Sequence, residues 1–481
     1  MSQRDPADSA AAERALEAAI AIAREQGTRS FGLRAALSLA KLYQSIGHPV
    51  DAHAVLAPAL EGFWPTPEMP EIGQAQSLLE ALAETDEVKA EAARRHQRRQ
   101  LHVAYGNALF AARGPGAPET AQAFARAHES AVGDNAAHER LSANFGLWVG
   151  SYVHGELAAM REHSTAFLSA VEARSDSPEA GVAHRMAGVT HWFAGEYVEA
   201  REHIEHALAL FQPGRDDDLA FRFGHDAGVA AMLCLALTLW PLGDIGRAVS
   251  LIGDAEARSA GLAHIATRAH GKQHAALFEL MRGDLSRVAP NAIELTRLAR
   301  EHDLLHWRAY GVFFEGVASA ESSASRGGLD EVRHGAKLLR DRNAQSFDGL
   351  IQIALSGAEA RAGDVNRALA ILDETLATCE RTGHRAFEAE LHRVRGEMLL
   401  KRDPADPAPA EEALLTAIAV AKGQATRSFE LRAAFVLARL YQVTTRRAEA
   451  HAVLSGALEG FAPTAEMPEI AEAQALMESL A

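Results

Sequence analysis

Histidine, cysteine and paired carboxylates are the residues able to hold a metal or move a proton. There are 22 histidines, 2 cysteines and 64 acidic residues in the 481-residue chain. His203 and His206, in REHIEH, stand one helical turn apart and could present two nitrogens to a metal, with His163 of the preceding REH as a third ligand. At this density of histidine, surface polarity accounts for the same pair, and no metal site is assigned. Asp216–Asp218 lacks the ordered oxygen spacing of a calcium loop and reads as a solvated turn. Gly271-Lys272 lacks the earlier glycine and the following Ser/Thr of a phosphate loop, and HExxH, GxSxG and CxxC are absent. These absences point to a non-enzyme with no cofactor. Cys234 and Cys379 each sit alone in a helical stretch and read as small core residues.

The elements that position these residues are helical. About a fifth of the residues are alanine, the best helix former, whereas aromatics make up 6%. This composition predicts an all-α chain. The 48 basic against 64 acidic residues give a net charge of −16, which opposes a nucleic-acid surface. The basic cluster Arg94, Arg95, Arg98 and Arg99 falls on one helix face and reads as solvated. No signal-peptide core stands at the N-terminus. The most apolar run, Ala227–Leu242, is shorter than a membrane span. A cytoplasmic location without membrane contact is the expectation.

Two internal repeats organise the helices. The shorter recurs near 40 residues. Gly155-Glu156, Gly195-Glu196, Gly243-Asp244, Gly283-Asp284 and Gly363-Asp364 each separate two amphipathic stretches. Glycine can end a helix in the left-handed conformation, and the acidic residue can open the next at its positive end. Five residues after the glycine comes Ala200, Ala248, Val288 or Ala368, where a small side chain lets the second helix approach the first. Each unit is then a hairpin that must stack on its neighbours to bury its apolar faces. The turn expected near residue 323 is replaced by ESSASRGG, so that unit should be distorted. The longer repeat aligns 4–83 with 402–481 at an offset of 398, with about 51 of 80 positions identical. TRSFGLRAALSLAKLYQ from Thr28 returns as TRSFELRAAFVLARLYQ from Thr426. Duplication explains this identity. The expected organisation is an N-terminal module 4–83, a central array 84–401 and a C-terminal module 402–481, with Glu13–Gln26 a helix lacking a hairpin partner before it.

The unit His184–Pro213, with Gly188, the turn Gly195-Glu196-Tyr197, Ala200, Ala207 and Pro213, resembles a tetratricopeptide repeat. The resemblance implies a right-handed superhelical solenoid of ten to eleven hairpins. The terminal module, through RSFELRAA (427–434), LYQ (440–442) and PTAEMPEI (463–470), resembles the closing helical-repeat region of bacterial adenylate/guanylate cyclase-like, ATPase-containing signalling proteins. No cyclase or ATPase segment occurs in these residues, so the likeness implies a signalling scaffold without carrying over catalysis.

In such arrays the first helix of each hairpin lines a concave groove. Tyr152, Trp192 and Trp240 each lie three residues before a turn glycine, and Arg185 and Gln273 share the face by helical offset. The resemblance thus implies a partner site of Tyr152, Arg185, Trp192, Trp240 and Gln273 for a protein or peptide. The same rings would equally fill the seam between hairpins. The functions that follow are a non-catalytic interaction scaffold, a ligand-sensing regulatory domain, or a head-to-tail assembly through the duplicated ends.

Overall fold

A computed structural model describes residues 6–26, 28–64, 69–83, 85–130, 137–322 and 326–480. They are helical, with no strand among the described residues. Two compact units, 1–101 and 102–481, divide the chain. Of the ESSASRGG segment where a distortion is expected, residues 323–325 lie outside the described residues.

In the first unit, α1 (Pro6–Glu25), α2 (Arg29–Ser45), α3 (Pro49–Leu60) and α4 (Glu71–Ala83) pack in sequence order. Its core is Leu33, Leu37, Leu56, Ile72 and Leu82 with the alanines between them. The helix expected to lack a partner before it pairs with the one after: Tyr43 Oη donates to Glu13 Oε1 at 2.8 Å. Helix α5 (Asp86–Arg113) contains the boundary between the units. On it, Arg94 and Arg95 pair with Glu91 at 2.9 and 3.0 Å.

The second unit continues with α6 (Pro118–Ser130), α7 (Ala137–His154), α8 (Leu157–Val171), α9 (Pro178–Phe193), α10 (Tyr197–Leu210), the short α11 (Leu219–Phe223), α12 (Ala227–Leu242) and α13 (Ile245–Ala260). Then come α14 (Ile265–Arg282), α15 (Leu285–Glu301), α16 (Leu305–Ser322), α17 (Arg326–Asp341), α18 (Asp348–Arg361) and α19 (Val365–Thr382). The last five are α20 (Glu388–Arg402), α21 (Ala408–Gly423), α22 (Arg427–Val443), α23 (Arg447–Leu458) and α24 (Glu469–Leu480). From α7 onward they pair as antiparallel hairpins that stack along the chain, a tetratricopeptide-like solenoid.

The turn chemistry follows the sequence. All five turn glycines have positive φ, from 71° at Gly155 to 98° at Gly243 and Gly363. The acidic residue after each is the N-cap, and Asp364 Oδ1 accepts from the Arg367 N–H at 2.9 Å. Ala200, Ala248, Val288 and Ala368 are fully buried at the hairpin contacts. Inside α9, Gly188 gives α10 its close approach: a Cβ there would lie 2.4 Å from Ile204 Cγ1.

One feature of the second unit is not a local repeat. The solenoid winds tightly enough for one turn to touch the next. Gln345 N–H donates to Val153 O and Arg385 N–H to Phe193 O, both at 2.8 Å. Tyr197 Oη donates to Ala386 O at 2.5 Å across 189 residues, and Ser428 Oγ to Trp240 O at 2.6 Å across 188. Arg282 reaches Glu466 at 2.6 Å across 184. The bonds to Val153, Phe193 and Trp240 satisfy backbone carbonyls near the ends of first helices, groups that a helix terminus leaves without partners. They also close the inner face over this stretch.

Candidate functional site

Inter-turn packing decides where the five expected partner-site residues lie. Trp192 is 4% and Trp240 0% exposed. Their position three residues before a turn glycine is the one that the next turn covers. Trp192 Nε1 donates to Leu237 O at 3.2 Å and its ring meets Phe387 edge-on. Trp240 lies beneath the Arg432 guanidinium, 4.5 Å from the ring centroid. Gln273 is buried, and Tyr152 stacks on Trp148 at 5.6 Å. Arg185 is 6% exposed, over the Phe145 ring at 5.4 Å. None of the five faces an open groove; they belong to the filled axis of the solenoid.

Tyr152, Arg185 and Trp192 instead line an internal cavity of about 50 Å³, together with Phe145, Phe193, Cys234, Phe347 and three histidines. His225 stacks on His270 with centroids 3.9 Å apart, and His270 meets His274 at 3.9 Å. Burial, followed by the charge of Arg185, holds His225 well below its ordinary pKa. Burial does the same to His270, and brings His274 down to about 4. Burial also pushes the Cys234 thiol up to about 11, so this cysteine is a neutral wall rather than a nucleophile.

The open groove of this unit is farther along. It is formed by the first helices α14, α18, α20 and α22, with the turns after α14 and before α24, and encloses about 750 Å³. Its floor carries Ile353, Val394, Met398, Phe435 and Val436. Ion pairs line it, those of Arg393 within α20 and those of Arg432 between helices. Arg393 bridges Glu390 at 2.8 Å and Glu397 at 2.7 Å, and Arg432 reaches Glu390 at 3.4 Å and Glu469 at 2.8 Å. Burial alone would raise the Glu390 pKa; Arg393 and Arg432 outweigh it and hold the carboxyl below its usual range. Glu279, behind Arg282, is the opposite case, pushed up to about 7 by burial despite that arginine. On the groove wall, the exposed Lys401 donates to Ala360 O at 2.6 Å, and the exposed Arg439 lies over the Phe435 ring at 5.8 Å. Wall cations beside an apolar floor suit a segment carrying acidic and apolar residues.

The histidines weighed as metal ligands are engaged with other groups. His203 Nδ1 meets His184 Nδ1 at 2.9 Å, and His163 Nδ1 meets Asn144 Oδ1 at 2.9 Å. Among the described residues no group of three or more His, Cys, Asp or Glu is arranged to hold a metal. No described helix is long and apolar enough to cross a membrane.

Sequence reasoning missed the histidine stack and the groove residues Lys401, Phe435 and Arg439. One signal was present: His270 and His274, in HGKQH, stand four apart on one helix face.

No protein-family model matches the chain. An uncharacterized protein of Rhizobium meliloti (strain 1021) is 26% identical over 240 residues, 50% of this chain and 23% of that protein. The chain therefore matches less than a quarter of that relative's length. Among solved structures, a Rap protein complexed with competence and sporulation factor aligns with TM-score 0.47 and 11% identity over 82% of this chain and 99% of that one. Human IFIT1 in a dimer with PPP-AAAA aligns with TM-score 0.40 and 14% identity, covering 99% and 95%. A signal-transduction ATPase with a tetratricopeptide repeat sensor from Pyrococcus horikoshii aligns with TM-score 0.38 and 11% identity, covering 97% and 68%.

Proposed function

We propose that the chain is a non-catalytic interaction scaffold that captures a peptide segment of a protein partner in the groove of its second unit. The observation that carries this reading is the 750 Å³ groove itself, formed by successive first helices and bearing Lys401 and Arg439 beside an apolar floor. The segment we infer is acidic and amphipathic. Its apolar residues would pack on Met398, Phe435 and Val436, and its carboxylates would meet the wall cations. Resemblance of the terminal module to cyclase-like signalling proteins supports a bacterial signalling setting for the scaffold. The test is to pan a random peptide display library against the full chain and titrate the selected peptides calorimetrically. Selected peptides should be acidic and bind a Lys401→Glu, Arg439→Glu double variant at least about tenfold more weakly. Peptides that bind both proteins equally would overturn the assignment.

A second reading, self-association, is favoured by one comparison between the duplicated modules. Phe429 is fully buried, whereas its counterpart Phe31 is 64% exposed, and Trp64 of the same module is 81% exposed. Exposed rings of this kind suit a second copy. Light scattering over a concentration series should show mass increasing for the wild type and not for a Phe31→Ser, Trp64→Ala variant; a wild-type mass fixed at the monomer removes this reading.

A further inference from the structure

The internal cavity carries a feature that peptide capture does not use. Arg185 is a buried cation without an anion. Among the described residues no carboxylate pairs with it and no hydrogen bond satisfies it; its Nε is closed off without a partner. The ionisable groups it senses most are the Cys234 thiol and the Tyr152 phenol, both neutral at physiological pH. A buried charge lacking a counter-ion costs several kcal/mol, which is why such charges are normally paired. Other donors around the cavity are also unfilled. His225 Nε2 and His270 Nε2 lack partners. The remaining walls are apolar, chiefly the rings of Phe145, Trp148, Trp192, Phe193 and Phe347.

We propose that this cavity is a binding site for a short-chain monocarboxylate, with the carboxylate on Arg185 and its aliphatic tail among the aromatic walls. One guanidinium calls for one negative charge, and its planar fork matches a carboxylate with two parallel hydrogen bonds. The imidazoles of His225 and His270 can supply further N–H donors to the same oxygens. Size limits the tail. The cavity of about 50 Å³ holds roughly three to five water-sized groups, the bulk of an acid of two to four carbons. The apolar walls disfavour a strongly hydrated inorganic ion or a dianion. Nothing in this inference rests on the groove, which lies elsewhere in the unit.

Isothermal titration of the full chain with butyrate, butyramide and chloride tests the inference, together with thermal unfolding of the wild type and an Arg185→Met variant. Butyrate should bind saturably at one site, while the neutral isostere and the halide do not. Butyrate should raise the melting temperature of the wild type only, because the variant should lose about ten- to a hundredfold in affinity. Without ligand, Arg185→Met should melt at or above the wild-type temperature, since an isolated buried charge has been removed. If that variant does not fold, the three wild-type titrations still decide. Absence of butyrate binding, equal binding of butyramide or chloride, or equal stabilisation of both proteins would overturn the proposal.

Discussion

Arg432→Ala probes the packing of one solenoid turn on the next, and the duplicated module supplies its internal control. The Arg432 side chain is 8% exposed. It donates to Met281 O at 2.8 Å and to Arg282 O, pairs with Glu390 and Glu469, and covers the Trp240 ring. Truncation leaves two carbonyls about 150 residues away without their donor and takes the second of two arginines from the buried Glu390, which keeps Arg393. Breaking a buried pair costs about 3–5 kcal/mol, and each lost hydrogen bond to a charged group about 1.5–3 kcal/mol before water enters. A net loss of about 3–5 kcal/mol is expected. Arg34 occupies the equivalent position within nearly identical sequence, but is 51% exposed and meets only Glu71, at 2.9 Å. Arg34→Ala should cost at most about 1 kcal/mol. The chain has two units and need not unfold in one step, so the assay is hydrogen exchange read locally. Arg432→Ala should raise exchange in α22 and in the turn after α14 while leaving α2 unchanged. Effects of the two substitutions within about 1 kcal/mol of each other would refute the inter-turn account.

Other expectations follow from single contacts. Gly188→Ala should destabilise by about 1–3 kcal/mol in urea denaturation, because its Cβ would press on Ile204. Thr445→Gly should stabilise by about 1 kcal/mol: Thr445 holds φ 63°, where the first module has Gly47 at φ 82°. Acid should weaken the second unit. The folded state holds His225, His270, His274 and His306 below 6.5, with His274 and His306 at about 4, so their contribution is complete above about pH 6.5 and is lost as pH falls toward 4. A His274→Gln variant should show a shallower slope over that window in pH-dependent melting. Glu279 acts in the opposite sense: its raised value makes stability fall as pH rises from about 4.5 to about 7, and Glu279→Gln should remove that decline.

What could be read from the residues depended on how far apart the interacting groups are in the chain. The hairpin turns were legible because glycine, acid and small residue lie within a few positions, and their conformations obey local sterics. The fate of Trp192 and Trp240 was not. Their burial depends on Phe387, Ser428 and Arg432, 188 to 195 residues later, and such pairings leave no periodic trace. The same reason hid the open groove, whose lining is gathered from residues as far apart as Leu280 and Glu469. Arg185 looked like a groove residue because its register matches that face; that it has no counter-ion is a property of the assembled interior.

The claim of peptide capture is tested most directly by hydrogen exchange of the full chain with and without a selected acidic peptide. The account predicts added protection on the groove helices α14, α18, α20 and α22, with the second helices α15, α19 and α21 unchanged. Protection confined to those second helices or to α1–α4, or none at saturating peptide, would contradict it.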